Sequence, residues 1–146
     1  MSGRAHDIIA YGDHVAVAWM EDISSGGWGL RVRDVHGYWL DGQNDMGDNI
    51  YGIKLNDASI DSDSTVLGSI NNNLYAFWME DYTLVGKVRL DSRDGYSEWK
   101  PIHVDSDYIE IGVVDTTVYN SKIYVVYSEY EAPDYSTENV HVKVGK

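Results

Sequence analysis

The sequence predicts an all-β protein, and three observations predict it. One apolar hairpin pattern recurs three times along the 146 residues. The breaks inside that pattern carry Gly and Asn, residues that tolerate positive φ and so suit two-residue turns. Helical periodicity of useful length is missing from the sequence.

The repeat is read without gaps. Asp7–Asp22 is DIIAYGDHVAVAWMED, Val66–Asp81 is VLGSINNNLYAFWMED, and Asp115–Tyr130 is DTTVYNSKIYVVYSEY. The offsets are 59 and 49 residues. Val15, Leu74 and Ile123 share a column, as do Trp19, Trp78 and Tyr127, and Glu21, Glu80 and Glu129. Each segment reads as a strand, a tight turn (Gly12-Asp13, Asn71-Asn72, Asn120-Ser121) and a second strand. The second strands, VAVAW, LYAFW and IYVVY, are apolar on both faces, which predicts cover on both sides.

A third strand is predicted after each hairpin, at Leu30–Arg33, Gly86–Arg89 and Val140–Lys143. Apolar and basic residues alternate there, so one face is expected wet and the other packed. A fourth strand is expected around Gly37–Leu40 and around Tyr96–Val104, and none in the third unit, where the sequence ends at Lys146. The total is about eleven strands in three antiparallel units. The polar stretch Asp41–Ile60 reads as a long loop or irregular strand inserted in the first unit. The approximate units are 5–60, 61–110 and 111–146 within a single repeat domain, 1–146.

Composition narrows the function. With 24 acidic against 11 basic residues the net charge is -13. Phosphate binding needs clustered Lys and Arg, so nucleic acid and anionic membrane surfaces are poor partners. The absence of Cys excludes disulfides and thiolate metal sites. The sequence holds no run long and apolar enough to span a bilayer and no apolar signal core, which predicts a soluble chain and assigns it no compartment. Of the acidic residues 17 are Asp, a residue that favours turns. The 12 Tyr and 5 Trp against one Phe favour half-buried and binding positions.

Units of four strands at this spacing resemble the blades of a β-propeller. The apolar hairpin ending in aromatic-x-Glu resembles sialidase-like and lectin-like propeller repeats. Ser92-Arg93-Asp94-Gly95-Tyr96-Ser97-Glu98-Trp99 resembles the Asp-box of that group, with its glycine one position early. Asp34–Trp39 holds the equivalent place in the first unit and departs further. The resemblance implies that the box is structural, its Asp tying a turn and its Trp packing between strands. Propellers close with about 4–8 blades, so three units imply a ring completed by further copies, with a dimer of six blades favoured. A piece of a longer propeller is the alternative reading of the three units, and a single β-sandwich is the alternative fold.

For sites, an aromatic platform flanked by charged or amide groups suits a sugar. Trp28, Tyr38, Trp39, Tyr96 and Trp99 are placed near loops, with Arg31, Arg33 and Arg89 close by in sequence. These eight are the candidate ligand-binding residues. Trp19, Trp78 and Tyr127 are expected in the core, and Glu21, Glu80 and Glu129 in structural roles at the strand ends. Repeat-equivalent arginines and carboxylates fall in separate units and do not converge, which argues against glycoside hydrolysis. Asp57, Asp61 and Asp63 alternate with oxygen-ligand spacing but lack the central Gly of a calcium loop, and read as a solvated acidic loop. The five His show no ligand spacing, and no cofactor is implied. The expectation is therefore a non-enzymatic, carbohydrate-binding, lectin-like propeller built as a homo-oligomer. A protein-interaction scaffold is the second reading and a remnant sialidase-like glycosidase the third.

Overall fold

Two-residue turns define three hairpins. Asn71 and Asn72 stand at φ 50° and 64°, and Asn120 and Ser121 at 49° and 57°. Both central residues are left-handed, a geometry whose twist matches that of the flanking strands. In the first hairpin Gly12 takes the left-handed position at 53°.

The computed structural model describes residues 3–23, 27–34, 53–55, 62–80, 83–90, 99–102, 104, 110–130 and 138–145. They form eleven strands and no helix. β1 (Gly3–Tyr11), β2 (His14–Ile23), β3 (Gly27–Asp34) and β4 (Ile53–Lys54) make the first sheet, in that order. β5 (Ser62–Ile70), β6 (Asn73–Glu80), β7 (Thr83–Arg89) and β8 (Trp99–Ile102) make the second. β9 (Glu110–Tyr119), β10 (Lys122–Tyr130) and β11 (Glu138–Gly145) make a third sheet of three strands, with β10 central. All pairings are antiparallel. The hairpin registers coincide, with Ala10 opposite Val15, Ser69 opposite Leu74 and Val118 opposite Ile123.

The first two strands of each sheet also break register once. The shifts fall between Ala5 and Asp7, between Asp63 and Val66, and opposite Ser128 between Tyr127 and Glu129. A bulge bends its strand and raises the local twist. The first two shifts fall at the same repeat position, and the third lies one to two residues nearer the start of its strand.

The sheets pack face to face in chain order. One core joins the first and second sheets through Tyr11, Ala16, Ala18 and Met20 against Leu67, Leu74, Ala76 and Trp78, with Leu55. The other joins the second and third through Val66, Phe77 and Leu84 against Ile123, Val125 and Tyr127. Three sheets are present, one more than a sandwich of two.

Three expectations are corrected. Cover on both faces holds for β6 alone. In β2 the buried side chains are Ala16, Ala18 and Met20, while Val15, Val17 and Trp19 are half-buried. In β10 Ile123, Val125 and Tyr127 are buried, while Tyr124 and Val126 are half-buried. An end sheet has one neighbour and a middle sheet has two. The first sheet takes a fourth strand from Ile53–Lys54, within the stretch read as a long loop or irregular strand, and the strand expected around Gly37–Leu40 lies outside the described residues. The basic residues of the third strand do not mark its wet face in the second unit. Lys87 lies toward the first sheet, where its Nζ donates to the Leu55 carbonyl and sits 5.8 Å from the Trp78 ring centroid. Finally, Asp63 belongs to β5, opposite Met79, rather than to an acidic loop; Asp57 and Asp61 lie outside the described residues.

Candidate functional site

The first strands of the three sheets run side by side, β1 against β5 and β5 against β9. Each is an edge strand of its own sheet, with main-chain groups that no sheet neighbour pairs. Side chains span these seams. Asp7 accepts the Leu67 N–H on Oδ2 at 2.6 Å and its own neighbour Ile8 N–H on Oδ1 at 2.7 Å. From the other side, the Thr116 hydroxyl donates to the Leu67 carbonyl at 2.5 Å. Both main-chain groups of Leu67 are thereby satisfied by adjacent sheets, and the β5 edge is tied on both sides.

Toward the turn ends these strands bound an open cleft of about 460 Å³. Its lining alternates by repeat position. β1 and its turn supply Ile9, Ala10, Tyr11 and Gly12; β5 and its turn supply Ser69, Asn71 and Asn72; β9 supplies Thr116, Thr117 and Val118. Gly12 is needed here for two reasons. Its φ is left-handed, and a Cβ would stand 3.1 Å from the Asn72 Oδ1. The chain carries a net charge of -13, yet no carboxylate, amine or imidazole is among the described residues lining the cleft. It offers side-chain amides and hydroxyls together with the aliphatic side chains of Ile9, Leu67 and Val118 and the buried Tyr11. The amides and hydroxyls give and accept neutral hydrogen bonds.

Of the eight residues singled out from the sequence, the two whose side chains are described, Arg89 and Trp99, do not line this cleft. Arg89 and Trp99 are brought together as opposite partners on β7 and β8. Both are half-buried, and Trp99 packs against the first core. Each has a buried N–H without an acceptor among the described residues, Nε of Arg89 and Nε1 of Trp99. Two adjacent orphan donors are suited to an oxygen-bearing ligand. Trp99 opens a strand rather than sitting in a loop. So does Trp28 lie within β3, opposite Asp22. Arg31 and Arg33 stand on β3 opposite Trp19 and Val17, and Arg31 also pairs with Lys54. Tyr38, Trp39 and Tyr96 lie outside the described residues, as do Ser92 and Asp94 of the Asp-box-like segment.

The repeat columns have structural roles where they are described. Trp78 and Tyr127 are buried in the two cores, and Trp19 is half-buried on the outward face of the first sheet. The Trp78 indole N–H donates to Glu80 Oε2 at 2.7 Å, and the Glu80 carbonyl accepts the Thr83 hydroxyl at 2.8 Å. The carboxylate thus satisfies a fully buried indole, and the backbone carbonyl ties the end of β6 to the start of β7. Glu21 and Glu129 occupy β2 and β10, and their side chains lie outside what is described.

Sequence reasoning passed over the cleft because it sought aromatics and arginines. The available signal was polar: Ser69, Asn71-Asn72 and Thr116-Thr117 interrupt hairpins that are otherwise apolar. No family model matches the chain, and neither a curated protein nor a solved structure matches it.

Proposed function

We propose that this chain is a non-enzymatic, carbohydrate-binding, lectin-like protein whose sheets are β-propeller blades in a ring of more than one chain. The observation that carries the sugar reading is the cleft at the junction of β1, β5 and β9. Its size falls in the range of about 300–1,000 Å³ usual for small-molecule pockets. Its hydroxyls and amides, set among aliphatic side chains and without charged groups, suit a neutral, polyhydroxylated ligand, which needs many weak polar contacts and no counter-charge. The blade reading draws support from three sheets stacked in chain order with their first strands adjacent.

The test is a glycan array with folded protein, followed by titration calorimetry on the best hit. Thr117→Val and Ser69→Val each remove one hydroxyl from the cleft. Each is expected to weaken binding several-fold, as the loss of one neutral hydrogen bond of about 1 kcal/mol does. An array without hits, or a hit whose affinity ignores both substitutions, refutes the assignment.

A further inference from the structure

The faces left open at the two ends of the sheet stack are complementary copies of faces already joined inside it. The two internal seams are built alike. The face of β2 carrying Ala16, Ala18 and Met20 meets the face of β6 carrying Leu74, Ala76 and Trp78. The repeat equivalents of those two faces meet again at the next seam, Tyr75, Phe77 and Met79 against Ile123, Val125 and Tyr127. The contact is head to tail: each sheet offers one face to the sheet before it and the other to the sheet after.

Among the described residues no sheet faces the outer side of the first sheet or of the third. Ile8 is 66% exposed, whereas its counterpart Leu67 is 2% exposed. Val15, Val17 and Trp19 are half-buried where Leu74, Ala76 and Trp78 are fully enclosed. At the other end Tyr119 is 65% exposed, whereas its counterpart Ile70 packs in the second core. Tyr124 and Val126 are half-buried, and Val142, opposite Val126, is 57% exposed. Asp115 adds a polar match. It is exposed at the position Asp7 uses to reach across a seam, and like Asp7 it accepts the next residue's N–H on Oδ1, at 2.8 Å.

From this we infer that the Ile8/Val17/Trp19 face of one copy docks on the Tyr119/Tyr124/Val126 face of a second copy, repeating the internal seam. The inference deepens the multi-chain ring proposed above and rests on it. A head-to-tail contact either closes or grows into a filament. Three sheets per chain give a ring within the usual blade range only with two copies, which makes six. Both seams between the copies are then the same pair of faces.

Light scattering on the intact chain is expected to give twice the 16.5 kDa chain mass. Val17→Glu blocks one face and Val126→Glu the other, and each variant alone is expected to run as a monomer with native circular dichroism. Mixed in equal amounts, the two variants retain one intact pair of faces and are expected to form a mixed dimer. That recovery also shows that both variants fold. A monomeric wild type overturns both the docking and the ring. A dimeric wild type whose two variants stay dimeric overturns the face assignment and leaves the ring standing. Self-association of either variant alone, without recovery on mixing, overturns the head-to-tail geometry. Glycan binding measured on the monomeric variants reports on the cleft separately.

Discussion

Gly86 tests whether the second seam is packed as tightly as the geometry says. It lies buried in β7, opposite Phe77 on one side and Ile102 on the other. A Cβ added there would stand 2.9 Å from both Cδ1 and Cε1 of Phe77 and 3.3 Å from Cγ2 of Val104. Carbon atoms in contact prefer about 3.5–4.0 Å, so the ring must retreat by more than half an ångström. Phe77 is 5% exposed and belongs to the core between the second and third sheets, so retreat strains that core. Overpacking of this kind costs about 1–3 kcal/mol. The reduced chain entropy of Ala over Gly returns about 0.5–1 kcal/mol. Gly86→Ala is therefore expected to lose about 1–2 kcal/mol in urea denaturation. Phe77→Leu alone is destabilising, but it removes the clashing ring atoms. In the double variant the glycine substitution should cost little, giving a coupling energy of about 1 kcal/mol. Gly68→Ala is the control. Its new Cβ would stand 3.1 Å from the Ile123 Cδ1, the mobile tip of an aliphatic chain, and a smaller loss is expected. A Gly86→Ala variant as stable as wild type, or additivity with Phe77→Leu, refutes the packing argument.

Three further outcomes follow from the hydrogen bonds. Trp78→Phe keeps most of a fully buried ring but strips Glu80 Oε2 of its donor; a loss of about 2 kcal/mol is expected in urea denaturation, against about 3–5 kcal/mol for Trp78→Ala. Asp7→Ala leaves the part-buried Leu67 N–H without its acceptor and should lower stability by about 1–2 kcal/mol, with faster amide exchange at Leu67 as the local readout. Thr65 is 1% exposed, and its hydroxyl has no hydrogen-bond partner among the described residues. Thr65→Val replaces an orphaned polar atom with a methyl of the same shape, so calorimetry should show the melting temperature rising by about 2–4 °C.

Much of the fold was legible because it rests on local chemistry. Asn71, Asn72 and Asn120 mark left-handed turns, and the alignment of Val15, Leu74 and Ile123 set three identical hairpin registers. The site was less legible. Ser69, Asn71 and Thr117 look unremarkable along the chain, since each is one polar residue in or beside an apolar strand. They line one cleft because β1, β5 and β9 adjoin, which is a long-range fact. Arg89 and Trp99 were identified as candidates from residue type; their pairing depended on β8 returning along β7.

By itself the sequence determined where strands form, where they turn and which residues lie opposite one another within a hairpin. Those properties follow from φ preferences and a period of two, which neighbouring residues settle between themselves. It did not determine which face of each hairpin is covered. VAVAW, LYAFW and IYVVY are apolar on both faces, so the pattern is the same whether one neighbour is present or two. Only the stacking order decided that Trp78 is enclosed while Trp19 in the same column is half-buried, and that Ile8 is exposed where Leu67 is not. Burial depends on what lies across roughly 10 Å of inter-sheet space, and that is a property of the assembled sheets rather than of any one strand.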